Sequence, residues 1–138
     1  MFIEGQLTEP FIEAVVSSAQ TETGAQTIFI GRVRPDRKGN TTVKCIEFTA
    51  QREIAVAAAT DIIRESCEKF GIQHAEIWHS TGKIDAGKPC FLVVVNGIHR
   101  KESFLALEYI VDQVKERCPV FGKEIMNDGS IIWKENQK

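Results

Sequence analysis

The sequence has no G-x-x-x-x-G-K-[ST] or G-x-G-x-x-G loop, no C-x-x-C pair and no apolar run approaching the roughly 20 residues that cross a bilayer. The first absence removes the usual backbone cradles for nucleotides, and the second the common spacing of thiolate zinc sites. The third leaves no expected helical membrane anchor. A surplus of either charge is also missing: 17 Lys+Arg stand against 19 Asp+Glu, a formal −2. That balance withholds the electrostatic footprint of a general nucleic-acid binder. Eight Phe, two Trp and one Tyr occur without interleaved basic residues, which weighs against a base-stacking platform too. The opening residues, MFIEGQLTEP, have neither a basic start nor an apolar core, so no secretory signal is expected and the cytoplasm is the expected compartment.

Cysteine is present but forms no framework. Cys45, Cys67, Cys90 and Cys118 are 22, 23 and 28 positions apart, and none has a histidine at zinc-site spacing. In a reducing compartment they read as small buried hydrophobes. The competing reading is a nucleophilic cysteine, which best suits Cys118, beside Lys115 and Arg117.

What is present is a chain of 138 residues, 43% of them hydrophobic, enough for one domain over residues 1–138 with a core that needs no disulfides. EPFIEAVVSSAQ (9–20) reads as a short helix broken at Thr23-Gly24. QTIFIGRV (26–33) and VKCIEFTA (43–50) read as strands around a polar Pro/Gly loop. On the second strand, alternation groups Val43 with Cys45 and Ile46 with Phe48. A long helix is expected over about 51–70, ended by Gly71. Strands over about 73–79 and 90–98 follow, joined by a connection holding Gly82, Gly87 and Pro89; the continuous FLVVV run marks the second as buried on both faces. A helix over about 100–117 stops at Pro119, and the tail reads as a hairpin turning at Asp128-Gly129. Two longer helices and a short N-terminal one on a mostly antiparallel sheet make the fold class α+β.

Three cationic elements carry candidate chemistry. In Gly31-Arg32-Val33-Arg34, alternation points both arginines to one face, where they either reach a common anion or simply meet solvent. His99-Arg100 precede a helix whose first turn presents unpaired N–H groups, an anion site if it is not merely a cap. On that helix Phe104, Leu107, Val111, Val114 and Cys118 form an apolar stripe at about 100° per residue, with Lys115 only about 40° from Val111. Lys115 either snorkels or lines a pocket, where desolvation would make a nucleophile or base more available. Lys123, just beyond Pro119, is a second lysine that could converge with it.

In this order the elements resemble the large, catalytic subunit of molybdopterin synthase. The resemblance rests on Gly31-Arg32-Val33-Arg34, Ile46-Glu47-Phe48, His79-x-x-Gly82, His99-Arg100-x-x-x-Phe104, Asp112-x-x-Lys115 and Pro119-x-Phe121-Gly122-Lys123-Glu124, and runs from about residue 10 to Trp133. It implies an enzyme that inserts two sulfurs into cyclic pyranopterin monophosphate to make the molybdopterin dithiolene. The sulfur donor it implies is a thiocarboxylate on the C-terminal Gly-Gly of a small ubiquitin-like carrier subunit. It further implies a homodimer with one carrier at each end, pockets drawn from both large protomers, and no metal or organic cofactor. Residue by residue, it makes Lys115 and Lys123 catalytic, and places Arg34, His99, Arg100 and both lysines around an anionic substrate. The chain departs from the family at Gly122, where a basic residue is common, at Ser80, where arginine often follows the histidine, and at Thr49-Ala50-Gln51-Arg52, which lacks a common aromatic. A divergent active branch is the expected reading; the alternative is a non-catalytic paralogue that docks the carrier, with a different phosphate-handling enzyme as a further rival.

Overall fold

The computed structural model describes residues 1–134. Along them run β1 (Phe2–Glu4), α1 (Glu9–Ser17), β2 (Ala25–Arg32), β3 (Arg37–Lys38), β4 (Thr41–Ala50), α2 (Arg52–Phe70), β5 (His74–Asp85), β6 (Pro89–Gly97), α3 (Arg100–Arg117), β7 (Val120–Met126) and β8 (Ile131–Trp133). The strands form one sheet in the order β2-β6-β5-β4-β7-β8, with β1 added to β5 and β3 to β4. Every pairing is antiparallel except that of β1 with β5. The fold is α+β, as the alternating and helical patterns indicate.

The helices begin and end where local chemistry dictates. Thr8 caps α1, its hydroxyl accepting from the Phe11 N–H at 3.3 Å. That helix closes at Ser17, earlier than its apolar pattern suggests, because the Ser18 hydroxyl donates to the Val15 carbonyl at 2.6 Å. Gly71, at φ +70°, ends α2 in the left-handed cap that a side chain would strain.

Two apolar layers follow. Alternation along β6 sends Phe91, Val93 and Val95 to the face covered by α2 and α3, and Leu92 and Val94 to the face covered by α1. The FLVVV run is therefore buried on both sides. The α3 stripe is rotated from the expected one: Ser103, Ala106, Ile110 and Val114 are buried, while Phe104 is 61% exposed. Small residues decide this. Gly97 leaves no room for a Cβ, which would lie 2.3 Å from Ser103 Oγ, so α3 approaches the sheet through serine and alanine rather than phenylalanine.

Two irregularities shift alternation. A register shift between Val43 and Cys45 places Val43 in the same apolar layer as Ile46 and Phe48, and not with Cys45 as strict alternation implies. Ala75, Ile77 and Ile84 of β5 also share that layer despite their opposite parity. The break lies between Ile77 and Ile84, the stretch in which Gly82 adopts φ +84°. The Gly-rich connection expected between two short strands is thus largely strand. β1 and β3 were not legible; each is short, with two or three residues.

Candidate active site

Two cross-strand rows organise the centre of the sheet. In one, Phe48 lies opposite Gly82 on β5 and Gly122 on β7. The Lys134 N–H donates to the Gly122 carbonyl at 2.8 Å, which continues the β7–β8 register and extends this row to Lys134. In the adjacent row Glu47 lies opposite Lys83 and Lys123, and Lys123 opposite Trp133. Paired residues share a face and successive residues alternate, so the rows project to opposite sides of the sheet.

The Phe48 row is on the side of α2 and α3. Gly122 lies against the Phe48 ring there, and the ring meets the His79 imidazole edge-on at a centroid separation of 4.9 Å. The His79 ring in turn lies 5.3 Å from that of Phe91. His79 is 8% exposed, and its Nδ1 is 2.8 Å from the Ser80 carbonyl. A carbonyl only accepts, so Nδ1 carries the proton and Nε2 keeps its lone pair. Burial pushes the His79 pKa down to about 4; the hydrogen bond to Ser80 opposes this, and the charges of Lys115 and Lys134 add to it. The imidazole is therefore neutral at pH 7. The same two lysines act on Cys90 in the opposite sense, but burial dominates and pushes the thiol up to about 11.

The charges of Lys115, in the last turn of α3, and of Lys134, just beyond β8, both act on the buried His79 imidazole against which the Phe48 ring packs. Both lysines are exposed. Sequence reasoning singled out Lys115 but neither His79 as a site residue nor Lys134. His79 was already visible in the His-x-x-Gly pattern; Lys134 depends on hairpin register.

The other expected residues lie elsewhere. Lys123 Nζ is 2.9 Å from Glu47 Oε1 in the opposite-facing row, and that bond holds the Glu47 carboxyl below its ordinary range. Strand alternation is the reason: Lys123 follows Gly122 and so points away from the Phe48 side. Arg32 and Arg34 do not share an anion within the chain. Arg32 Nη1 donates to the Gly87 carbonyl at 3.0 Å, and Arg34 clasps Asp36 through Nε at 2.7 Å and Nη2 at 3.3 Å. A register shift between Gly31 and Arg32 breaks regular alternation just before the first arginine. His99 is the N-cap of α3 with no capping bond from its side chain, and both His99 and Arg100 are exposed. Fifteen residues of helix separate Arg100 from Lys115, roughly 22 Å at 1.5 Å per residue.

Cys45, Cys90 and Cys118 are buried, Cys67 is half-buried, and all are free thiols. Cys118 Sγ donates to the Ala55 carbonyl at 3.7 Å, and burial, opposed by Arg117, pushes its thiol up to about 11. Among the described residues no group of three or more His, Cys, Asp or Glu is arranged to hold a metal ion, and no helix is long and apolar enough to cross a membrane.

Residues 6–117 match the family described as "MoaE protein". The molybdopterin synthase catalytic subunit of Pyrococcus abyssi is 36% identical over 126 residues, covering 91% of this chain and 84% of that one. Its counterpart in Bacillus subtilis is 36% identical over 122 residues, covering 88% and 75%. The crystal structure of molybdopterin synthase from Staphylococcus aureus superposes with a TM-score of 0.85 at 27% identity, covering 97% of this chain and 95% of that one. The chain belongs to the MoaE protein family, the family of the molybdopterin synthase catalytic subunit.

Proposed function

We propose that this chain is a sulfurtransferase that moves sulfur from a thiocarboxylated small carrier to cyclic pyranopterin monophosphate, forming the molybdopterin dithiolene. The observation that carries the reading is the position of Lys115: its charge reaches a buried, neutral imidazole at the C-terminal end of α3, in a chain 36% identical to catalytic subunits of this enzyme. An ammonium at the rim of a largely apolar floor attracts an anionic substrate and stabilises charge that develops there. In each transfer the carrier's sulfur bonds to a substrate carbon as a C–O bond breaks. Lys115 supplies the proton for the departing oxygen, and water then cleaves the acyl–sulfur bond to return a carboxylate on the carrier.

A carrier partner is supported by a related structure: a complex of subunits 1 and 2 of molybdopterin-converting factor from Helicobacter pylori has this fold, with a TM-score of 0.82 at 21% identity. His99 and Arg100 lie a helix length from Lys115 in one chain, so their part in the pocket requires a second protomer whose α3 begins where this one ends. Arg34, paired with Asp36 within this chain, is a substrate-binding residue in the same reading. Lys123 holds Glu47 across β4 and β7, and its part is structural and electrostatic rather than proton transfer.

Lys115→Ala tests the reading, with thiocarboxylated carrier and pterin precursor supplied and dithiolene formation measured. Loss of a general acid predicts a fall of about 10²- to 10⁴-fold, with carrier association intact. Turnover equal to wild type would overturn the role of Lys115. A wild-type chain that binds carrier yet makes no product would instead be the docking paralogue.

A further inference from the structure

We propose that His79 is a general base in the sulfur transfer, its Nε2 taking a proton from the water that cleaves the acyl–sulfur bond. This deepens the reading above and rests on it for the identity of that bond. The geometry is that of a base with one fixed tautomer and one open nitrogen. The Ser80 carbonyl accepts from Nδ1 at 2.8 Å, so the lone pair lies on Nε2. The Phe48 ring packs edge-on at 4.9 Å, and the Phe91 ring lies 5.3 Å away, tilted by 34°. Nε2 itself has no hydrogen-bond partner among the described residues. The side-chain polar atoms there that are both sealed from solvent and unpartnered are Ser80 Oγ and Glu102 Oε2, and His79 Nε2 is not one of them. Part of the 8% of His79 that stays exposed therefore falls on that nitrogen. So small an opening on a ring flanked by two aromatic side chains admits a water molecule and excludes a second ring. A lone pair this deep gains from any donor that reaches it.

The imidazole lies toward the end of α3 that carries Lys115. From Phe48, which packs on it, β4 runs to Ala50, and Ala50 is opposite Val120. The Gln51 N–H then donates to the Pro119 carbonyl at 3.1 Å, just beyond the end of α3. In the step proposed, the water oxygen bonds to the acyl carbon of the carrier as Nε2 takes one of its protons. The carbon–sulfur bond breaks and its electron pair stays on sulfur, so the substrate keeps a thiolate. The carrier's new carboxyl loses its proton to solvent, and the proton on Nε2 follows to the thiolate or to solvent, which restores the neutral base. The Ser80 carbonyl orients the ring and stabilises the imidazolium formed in between. Burial holds the free-protein pKa at about 4, so Nε2 is unprotonated throughout the neutral range. Bound anionic reactants raise that value toward the range in which a base works best.

The test is a single turnover of thiocarboxylated carrier and pterin precursor, followed by intact-protein mass spectrometry. Wild type is compared with His79→Gln, whose amide keeps a donor for the Ser80 carbonyl but cannot act as a base. Loss of a general base predicts that the covalent carrier–substrate adduct still forms in the variant and then decays about 10²- to 10⁴-fold more slowly than in wild type. Adduct decay at the wild-type rate overturns the proposal, and so does a folded variant that forms neither adduct nor product. A second measurement needs no variant, and so stands even if His79→Gln does not fold. Adduct decay in wild type should be constant between pH 7 and pH 8.5, because the base is already unprotonated there. A rate that climbs about tenfold per pH unit marks attack by free hydroxide and overturns the proposal. The sulfur-transfer reading fails differently, through a wild type that forms neither adduct nor dithiolene, and the proposal then falls with it.

Discussion

Acidification from pH 7 to pH 5 is expected to destabilise the fold through a single buried imidazole. An unfolded chain titrates histidine near 6.5, whereas the folded chain holds His79 near 4, chiefly because burial disfavours its charged form. Between those values the unfolded state binds a proton that the native state does not, so stability falls as pH drops below about 6.5 and levels off below about 4. Integrated over one site, the loss relative to fully neutral histidine is small at pH 7 and grows to about 2 kcal/mol at pH 5. With an m-value of about 1–3 kcal/mol per M, the urea midpoint should fall by about 1 M over that interval. Glu47, Glu65 and Asp128 are held below their ordinary carboxylate range, so their contributions are present above it and are lost mainly below pH 5. The comparison is His79→Gln, whose amide can still donate to the Ser80 carbonyl but does not titrate. Its midpoint should move by less than about 0.3 M across the same pH values. An equal slope in wild type and variant would refute the argument, because the proton uptake would then lie elsewhere.

Gly97→Ala should cost about 1–3 kcal/mol by denaturant unfolding, since the new Cβ would meet Ser103 Oγ at 2.3 Å while that hydroxyl is committed to the His99 carbonyl. Adding Ser103→Ala removes the obstructing atom, and the next neighbours lie at an ordinary 3.6 Å, so the double variant should be less impaired than the sum of the two singles. The requirement for a second protomer is checked by mixing two inactive variants, Lys115→Ala and Arg100→Ala. Random reassortment makes about half the dimers mixed, each with one intact pocket of two, so about one quarter of wild-type dithiolene formation should return. No recovery after confirmed subunit exchange would place Lys115 and Arg100 in separate roles.

Local chemistry made much of the architecture legible. The Gly71 stop of α2, the Pro119 break after α3 and the apolar run of β6 are short-range signals, and each element falls where they indicate. The misplacements share another cause: they depend on contacts between elements. The α3 stripe rotates toward Ser103 and Ala106 because Gly97 on β6 admits only small residues there. Val43 joins Ile46 in the core because β4 is bulged against β7. Hydrophobic periodicity within one segment carries no information about the shape of its neighbour, and here that shape overrides the count of apolar positions.

The site turns on a similar, finer point of register. A two-residue turn at Asp128-Gly129 would pair Lys134 with Lys123 and put both on the Glu47 side of the sheet. Instead Met126 and Ser130 close the loop, with the Met126 N–H bonded to the Ser130 carbonyl and the Gly129 N–H to the Met126 carbonyl, leaving three residues between them. Gly129, at φ +88°, supplies the left-handed position that a three-residue loop uses. The extra residue shifts every β8 pairing by one, which sends Trp133 to the Lys123 side and Lys134 to the Phe48 side. The near-neutral total of −2 is therefore compatible with strong local asymmetry. On one face Lys83 and Lys123 are opposed by Glu47 in the same row. On the other, the charges of Lys115 and Lys134 both reach the buried, neutral His79. Which face receives the second cation is decided by the length of a distant turn, so no count of charges, and no reading of Lys134 in its own segment, could have located it.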